Sequence, residues 1–231
     1  MLIAAVADIH SPKYLDLFKE ALVGVKCDLF LLAGDLVLKN DFERLPSVVS
    51  AIRETYNGPI LACFGNEEFE QDMEKYLTPE ITWLEDRAMV MEVGGLKLGI
   101  VGSRGSLDRP TFWQRTHVKE TWQTYRKRVE TINSLLARLR ADVKIALTHY
   151  APTYETLVGE SEKAMPEMGC RRLEEVIKRR QPDVWIHGHG HNAIKLEAHF
   201  GRSSVINVSL PARREIVMVD LPKRAGLERF F

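Results

Sequence analysis

The chain has 231 residues, 45% hydrophobic and 28% charged, with 32 Lys and Arg against 32 Asp and Glu, so its formal net charge is zero at pH 7. This ordinary globular composition excludes a disordered or collagen-like chain, and the charge balance excludes any global pull toward nucleic acid or an anionic membrane, leaving only local basic patches. Cys27, Cys63 and Cys170 are odd in number and widely spaced, which fits neither a disulfide framework nor a Cys-x-x-Cys zinc site and points to a reducing cytosol.

In chain order, the opening "MLIAAVADIH" has no basic leader before its apolar run and reads as a first strand, not a signal peptide. No apolar run approaches the ~20 residues needed to cross a bilayer. A cytoplasmic protein with no membrane partner is therefore expected. "LIAAVAD", "DLFLLAGD" and "PILACFGN" look like strands buried on both faces, and "PKYLDLFKEALVGV" and "FERLPSVVSAIRETY" between them carry helical spacing, with Pro46 weakening the second. This is a βαβαβ start. "AMVMEVGG" and "LKLGIVGS" read as an antiparallel hairpin turning at Gly94 and Gly95.

Val118, Trp122, Tyr125, Val129, Ile132, Leu136 and Leu139 recur at steps of four and three, predicting a long helix packed on a sheet. "DVKIALTHY" and "DVWIHGHGH" return to buried strands around the helical "CRRLEEVIKRRQP". The tail segments "AIKLEAHF", "SSVINVSL" and "EIVMVDL" predict two or three antiparallel strands. No linker or repeat divides the chain, so one α/β domain over residues 1–231 is expected.

Each buried strand ends in a polar side chain: Asp8 and His10, Asp35 after Gly34, Asn66 after Gly65, His149, and His189 with His191. Ligands of open α/β sheets bind outside the carboxyl ends of the strands, so these residues are candidates to converge. One such Asp alone is an ordinary turn or cap residue; the joint occurrence is what disfavours that reading. The set holds two carboxylates, four imidazoles and one amide oxygen, more than the three or four protein ligands that one zinc takes. Mixed N and O donors without thiolate suit Mn, Fe, Zn, Ni or Co. Two ions sharing a bridging carboxylate use all seven donors, the arrangement that clamps the attacking and leaving oxygens of phosphoryl transfer.

The order "DIH" at 8–10, "GD" at 34–35, "GNE" at 65–67, "THY" at 148–150 and "GHGH" at 188–191 resembles the calcineurin-like metallophosphoesterases over almost the whole chain. The resemblance implies one metal held by Asp8, His10, Asp35 and His191, and another by Asp35, Asn66, His149 and His189, with Asp35 as the bridge. It also implies the family fold, a four-layer α/β/β/α sandwich of two mixed sheets flanked by helices. The implied chemistry is in-line attack on phosphorus by a hydroxide drawn from water by the two divalent ions, with Asp35, Asn66 and His149 as its catalytic residues and no protein nucleophile. Cys63 is expected to be a buried structural thiol. His187 precedes the matched block; it is expected either to orient a ligand or simply to pack.

One residue departs from the family pattern. Many members carry Gly-Asn-His where this chain has Glu67, and that histidine is thought to protonate the leaving oxygen. Glu67 replaces it only with a raised pKa; the plain alternative is a carboxylate in the first turn of a helix starting at "NEEFEQ". General acid catalysis contributes roughly 10²- to 10⁴-fold, so activated aryl diesters are expected to turn over and alkyl monoesters poorly, which favours a phosphodiesterase.

The stretch 102–117, "GSRGSLDRPTFWQRTH", looks too irregular for a core element. By position Arg104 and Arg109 are candidates to fork onto a phosphate, Phe112 and Trp113 to stack on a ring, and Tyr150 to contact substrate; the alternative is a surface loop. The expected partner is a small-molecule or nucleotide phosphate ester. Two other functions stand beside it: a nuclease of the same chemistry, if "YRKR" and "KRR" formed a continuous basic surface, and a non-catalytic scaffold, as in a retromer subunit of that family.

Overall fold

A computed structural model of the chain describes residues 1–221; of the expected domain span, 222–231 lie outside the described residues. Eleven strands form two mixed sheets among the described residues. The first half builds β1 (Leu2–Val6), α1 (Leu15–Leu22), β2 (Leu29–Ala33), α2 (Leu45–Arg53), β3 (Ile60–Cys63) and the two-residue β4 (Thr82–Trp83). The second builds the hairpin β5 (Arg87–Val93) and β6 (Leu96–Ser103), α3 (Phe112–His117), α4 (Thr121–Arg138), β7 (Val143–Thr148), α5 (Arg172–Arg180), β8 (Val184–His187), β9 (Glu197–Phe200), β10 (Ser203–Asn207) and β11 (Val217–Asp220).

One sheet has the order β11-β1-β2-β3-β4, and the other β5-β6-β7-β8-β10-β9. The central pairs β1/β2, β2/β3, β6/β7, β7/β8 and β8/β10 are parallel; the edge strands β5, β9 and β11 run antiparallel. The continuous apolar runs follow from burial on both faces. In β1 and β2, Ile3, Ala5, Leu29, Leu31 and Ala33 pack between the sheets, while Ala4, Val6, Phe30 and Leu32 pack against α1 and α2. In the other sheet Val143, Ile145, Leu147, Val184 and Ile186 face inward, and Ala146 and Trp185 meet Ile132, Leu136, Leu173 and Ile177 of α4 and α5. The result is helix, sheet, sheet, helix, the four-layer sandwich expected from the sequence.

Several boundaries differ from the sequence reading. Pro46 sits in the first turn of α2, where a missing N–H costs nothing, so the helix tolerates it. The long helix starts at Thr121, not Val118: Val118 ends α3, and Val118 and Trp122 are exposed despite matching the period. Of the tail strands only β9 and β10 pair with each other; β11 crosses to the first sheet and pairs with β1. The stretch 102–117 is less irregular than expected. Its α3 is fixed by a capping box, in which Thr111 Oγ1 accepts from the Gln114 N–H and the Gln114 side chain accepts from the Thr111 N–H. No helix among the described residues is long and apolar enough to cross a membrane.

Candidate metal centre

The parallel strands β1, β2, β3, β7 and β8 all end on the same side, and the segments that follow them carry the seven donors. Asp8, His10, Asp35 and His189 adopt left-handed backbone conformations, with φ of 61°, 42°, 53° and 69°. His187, His189 and His191 stand at every second position of the sequence, yet they do not share one strand face. β8 stops at His187 and the chain turns, so strand alternation does not carry on to His189 and His191. His187 is buried and its ring is bonded outside the donor set: its Nδ1 donates to the Gly188 carbonyl at 2.8 Å and its Nε2 accepts from the Thr156 hydroxyl at 2.7 Å. Burial pushes its pKa down to about 4.

The donors form two groups. Candidate ligand atoms of Asp8, His10 and His191 lie within 4.8 Å of one another, as do those of Asp35, His149 and His189. In the first, Asp8 Oδ1 is 3.1 Å from His191 Nε2, which is 3.4 Å from His10 Nε2. In the second, His149 Nε2 is 3.0 Å from both Asn66 Oδ1 and His189 Nδ1. Asp35 lies between them, its Oδ2 3.8 Å from His10 Nε2 and 3.4 Å from His149 Nε2.

His149 shows why a cation suits this geometry. Its Nδ1 donates to the Ala33 carbonyl at 2.9 Å, which in the neutral ring leaves the Nε2 lone pair facing the amide oxygen, the second imidazole and the carboxylate. Acceptors that converge without a donor repel unless a proton or a metal lies among them. Burial lowers the His149 pKa, but Asp35, Asp8 and the Ala33 carbonyl together outweigh it and hold the ring up to about 9. Burial and the His149 charge together push His189 down to about 3. Burial raises Asp8 and Asp35, yet the surrounding histidines keep both below the ordinary carboxylate value. Asp8 Oδ1 is buried and takes no well-aligned hydrogen bond, even from His191 Nε2 at 3.1 Å. Two ionised carboxylates, four imidazoles and an amide, without thiolate, fit a pair of borderline divalent ions sharing Asp35.

The other candidates lie outside this cluster. Glu67 is not in a helix: the turn that starts at Glu70 is 3₁₀, and the Glu67 carboxylate accepts the Lys39 backbone N–H while its own N–H donates to Asp35 Oδ1 at 2.8 Å. Arg104 is only 7% exposed, and its Nη2 donates to the Glu68 carbonyl at 2.8 Å. Arg109 is engaged by Glu167 and the Lys163 carbonyl. Tyr150 is buried against the His149 and His189 rings and Tyr125. Phe112 and Trp113 are exposed, with Trp113 stacked on His117. Cys63 is fully buried, and burial pushes its thiol well up.

The residue that sequence reasoning missed is Glu68. It is fully buried, its Oε2 accepting the Asp35 and Gly65 N–H groups at 2.9 and 2.6 Å and its Oε1 those of Leu36 and Val37 at 2.7 and 3.4 Å. Burial pushes its pKa up to about 7, against the pull of those N–H groups. Nothing in "NEEFE" distinguishes it from a surface acid; its one signal is its place two residues after Asn66.

A profile of the calcineurin-like phosphoesterases matches residues 1–193. No curated protein matches the chain in sequence. The fold is similar to that of phosphopantetheinyl hydrolase from Mycobacterium tuberculosis, at 14% identity over 96% of this chain and 97% of the other, with a TM-score of 0.65. It is also similar to a putative 5'-nucleotidase from Staphylococcus aureus, at 16% identity over 96% of this chain and 51% of the other, TM-score 0.59. A third similar structure, TT1561 of Thermus thermophilus, has 16% identity over 95% and 98% of the two chains, TM-score 0.56.

Proposed function

The chain belongs to the calcineurin-like phosphoesterase family, and from that membership we propose that it is a phosphodiesterase dependent on two divalent ions, acting on a small-molecule or nucleotide ester. The observation that carries the reading is the pair of donor groups on either side of Asp35, each spanning no more than 4.8 Å. Asp8, His10, Asp35 and His191 would hold one ion, and Asp35, Asn66, His149 and His189 the other; Mn, Fe, Zn, Ni and Co all suit these donors. When bound, such a pair supplies a nucleophile from water near neutral pH and offsets charge on the phosphoryl oxygens.

The chain's own part is to hold these donors and, through the Nδ1–H bond to Ala33, to leave Nε2 as the His149 nitrogen that gives up its proton and faces a cation. We read Glu67 as a tie to the 37–41 segment, since its carboxylate already accepts the Lys39 N–H. A substrate whose leaving group needs no proton is then favoured, which selects activated diesters over alkyl monoesters. Arg104 and Tyr150 are read as supports beneath the site because both are buried. The names of the similar structures, a phosphopantetheinyl hydrolase and a putative 5'-nucleotidase, lend support to a small phosphate ester.

The nuclease reading is less favoured. "YRKR" lies on α4 with Tyr125 and Arg128 buried, and Arg128 is paired with Glu85 and Asp86, so the run is not a continuous basic strip. The test is hydrolysis of bis(p-nitrophenyl) phosphate, the alkyl monoester glycerol 3-phosphate, cyclic nucleotides and single- and double-stranded DNA with Mn, Ni, Zn or Mg, alongside Asp35→Asn. Metal-dependent turnover of the aryl diester, lost in Asp35→Asn, is expected; equal rates on diester and monoester, or no turnover with any metal, would refute the proposal.

A further inference from the structure

Two buried side chains outside the donor set are tied to the segments that carry it. The Glu68 carboxylate takes four backbone N–H groups from two separate segments: Asp35, Leu36 and Val37 after β2, and Gly65 after β3. A carboxylate offers about four lone-pair positions, so Glu68 is fully used in joining the Asp35 segment to the Asn66 segment. The tie is reciprocal, because Asp35 Oδ1 accepts the Glu67 N–H at 2.8 Å. Asp35 has φ of 53°, and the N–H groups of 35, 36 and 37 turn toward a single anion, the kind of concavity such backbone forms.

Arg104 extends the tie to a third segment. Its side chain donates to the Glu68 carbonyl, and its own carbonyl accepts the Tyr150 N–H at 3.0 Å, next to His149. It is 7% exposed, and its charge acts on Glu85, which is paired with Arg128 of α4. Glu68 thus bonds Asp35 directly and holds Asn66 and His149 only through their chain neighbours, Gly65 and, by way of Arg104, Tyr150, whereas among the described residues no hydrogen bond of Glu68 or Arg104 reaches Asp8, His10 or His191 or a residue adjacent to them.

We propose that Glu68 and Arg104 are positioning residues for one of the two cation sites, the one built from Asp35, Asn66, His149 and His189, and that Arg104 acts through the Glu68 carbonyl and not by touching the substrate phosphate. This rests on the two-ion reading above. The outer partners of metal ligands typically contribute roughly 10- to 100-fold to metal affinity. Loss of either residue therefore weakens that site by about that factor, while the Asp8, His10 and His191 side, reached only through Asp35 and its carbonyl bond to the His10 N–H, is weakened less and still takes its ion.

The experiment is Mn²⁺ titration of metal-free wild type, Glu68→Gln, Arg104→Met and Arg104→Lys by calorimetry and electron paramagnetic resonance, with kcat and KM on bis(p-nitrophenyl) phosphate. Wild type is expected to bind two equivalents with a spin-coupled signal. Glu68→Gln and Arg104→Met are expected to bind the second equivalent roughly 10- to 100-fold more weakly, to give an uncoupled signal at one equivalent, and to lose kcat with KM held. Arg104→Lys, which keeps a cationic donor near the carbonyl, recovers part of the second site; a mere packing role would not be rescued this way. Wild-type Mn²⁺ binding by all the variants, or a rise in KM alone in Arg104→Met, would overturn the proposal. If Arg104→Met gives no folded protein by circular dichroism, Glu68→Gln and Arg104→Lys decide it by the same readouts. A wild type that binds no Mn²⁺ would instead sink the two-ion reading itself.

Discussion

Replacing Gly65 by alanine tests the geometry of the Asp35 carboxylate with a single added methyl group. A Cβ at this position would lie 2.1 Å from Asp35 Oδ1, 2.4 Å from the Asp35 nitrogen and 2.8 Å from its Cγ, whereas real Cβ contacts essentially never fall below 3.0 Å. Gly65 is not among the positive-φ residues, so the substitution introduces contact without left-handed strain. The carboxylate oxygen must move by the difference between 3.0 and 2.1, about 0.9 Å, while metal-ligand distances tolerate only about 0.2 Å. The close backbone nitrogen prevents Gly65 and Asp35 from simply sliding past each other. Misplacement of about 1 Å costs on the order of 100-fold in rate, or roughly 2.7 kcal/mol, and overpacking a buried site adds about 1–3 kcal/mol of lost stability. The control is Gly24→Ala: φ is +78° there and nothing lies within 4 Å, so it carries only the left-handed strain of about 1–2 kcal/mol and leaves metal binding unchanged. Urea denaturation gives the stability of each variant, and diester hydrolysis at saturating Mn²⁺ gives the rate. A Gly65→Ala enzyme working within about threefold of wild type would refute the close-contact reasoning, since the predicted deficit is some thirtyfold larger.

Three further outcomes follow from the same structure. Leu31→Ala, in the fully buried layer between the sheets, should lose about 2–5 kcal/mol in urea, with turnover per folded molecule preserved; a change under about 1 kcal/mol would mean that the layer collapses around the gap. Burial raises the thiol pKa of Cys27, Cys63 and Cys170. Less thiolate is then present at a given pH, so alkylation at pH 8 is expected to be slower than for free cysteine, with half-buried Cys27 reacting first; rapid labelling of Cys63 or Cys170 in the folded protein would contradict this. Chelation should lower Tm relative to Mn²⁺-loaded protein. A cation at about 100 times its Kd adds roughly 2.7 kcal/mol, equivalent to about 5–10 °C for a chain of this size; identical melting with Mn²⁺ and with EDTA would argue against a bound ion.

The succession of strands and helices along the chain and the donor segments were legible because they rest on local pattern. Runs such as "DLFLLAGD" can be satisfied only by burial on both faces, and each ends at a polar residue that the buried sheet cannot hold. Less was legible where a side chain's role depends on partners distant in sequence. Glu68 reads as one more acid in "NEEFE", yet it turns inward because four N–H groups from segments about thirty residues apart need an acceptor. Arg104 reads as a phosphate ligand at a strand end, but the Glu68 carbonyl takes it below the surface. Periodicity placed Val118 and Trp122 on the packed face of the long helix; Val118 instead caps α3, and Trp122, in the first turn of α4, is exposed as well. "YRKR" hid a buried Arg128, whose charge is matched by Glu85 and Asp86 from the segment before β5.

The four left-handed donor residues bear on how the centre is made ready. Each such conformation costs on the order of 1–3 kcal/mol and persists only where the surroundings over-determine it. Here the determinants are other donor segments: the Asp8 N–H donates to the Gly34 carbonyl, the His10 N–H to the Asp35 carbonyl, the Asp35 N–H to Glu68, and the His189 N–H to Asp8 Oδ2. Each strained residue is therefore fixed by a group from another donor-bearing segment, and the set closes on itself before any cation is considered. A cation entering such a frame does not have to order the chain and need only displace protons, which leaves more of its binding free energy expressed as affinity. The same closure makes single losses spread, because freeing Asp35 also releases the carbonyl that holds His10. Substitutions at Asp35 and Glu68 should therefore be non-additive, whereas a change at Leu31, buried between the sheets, should add independently to either.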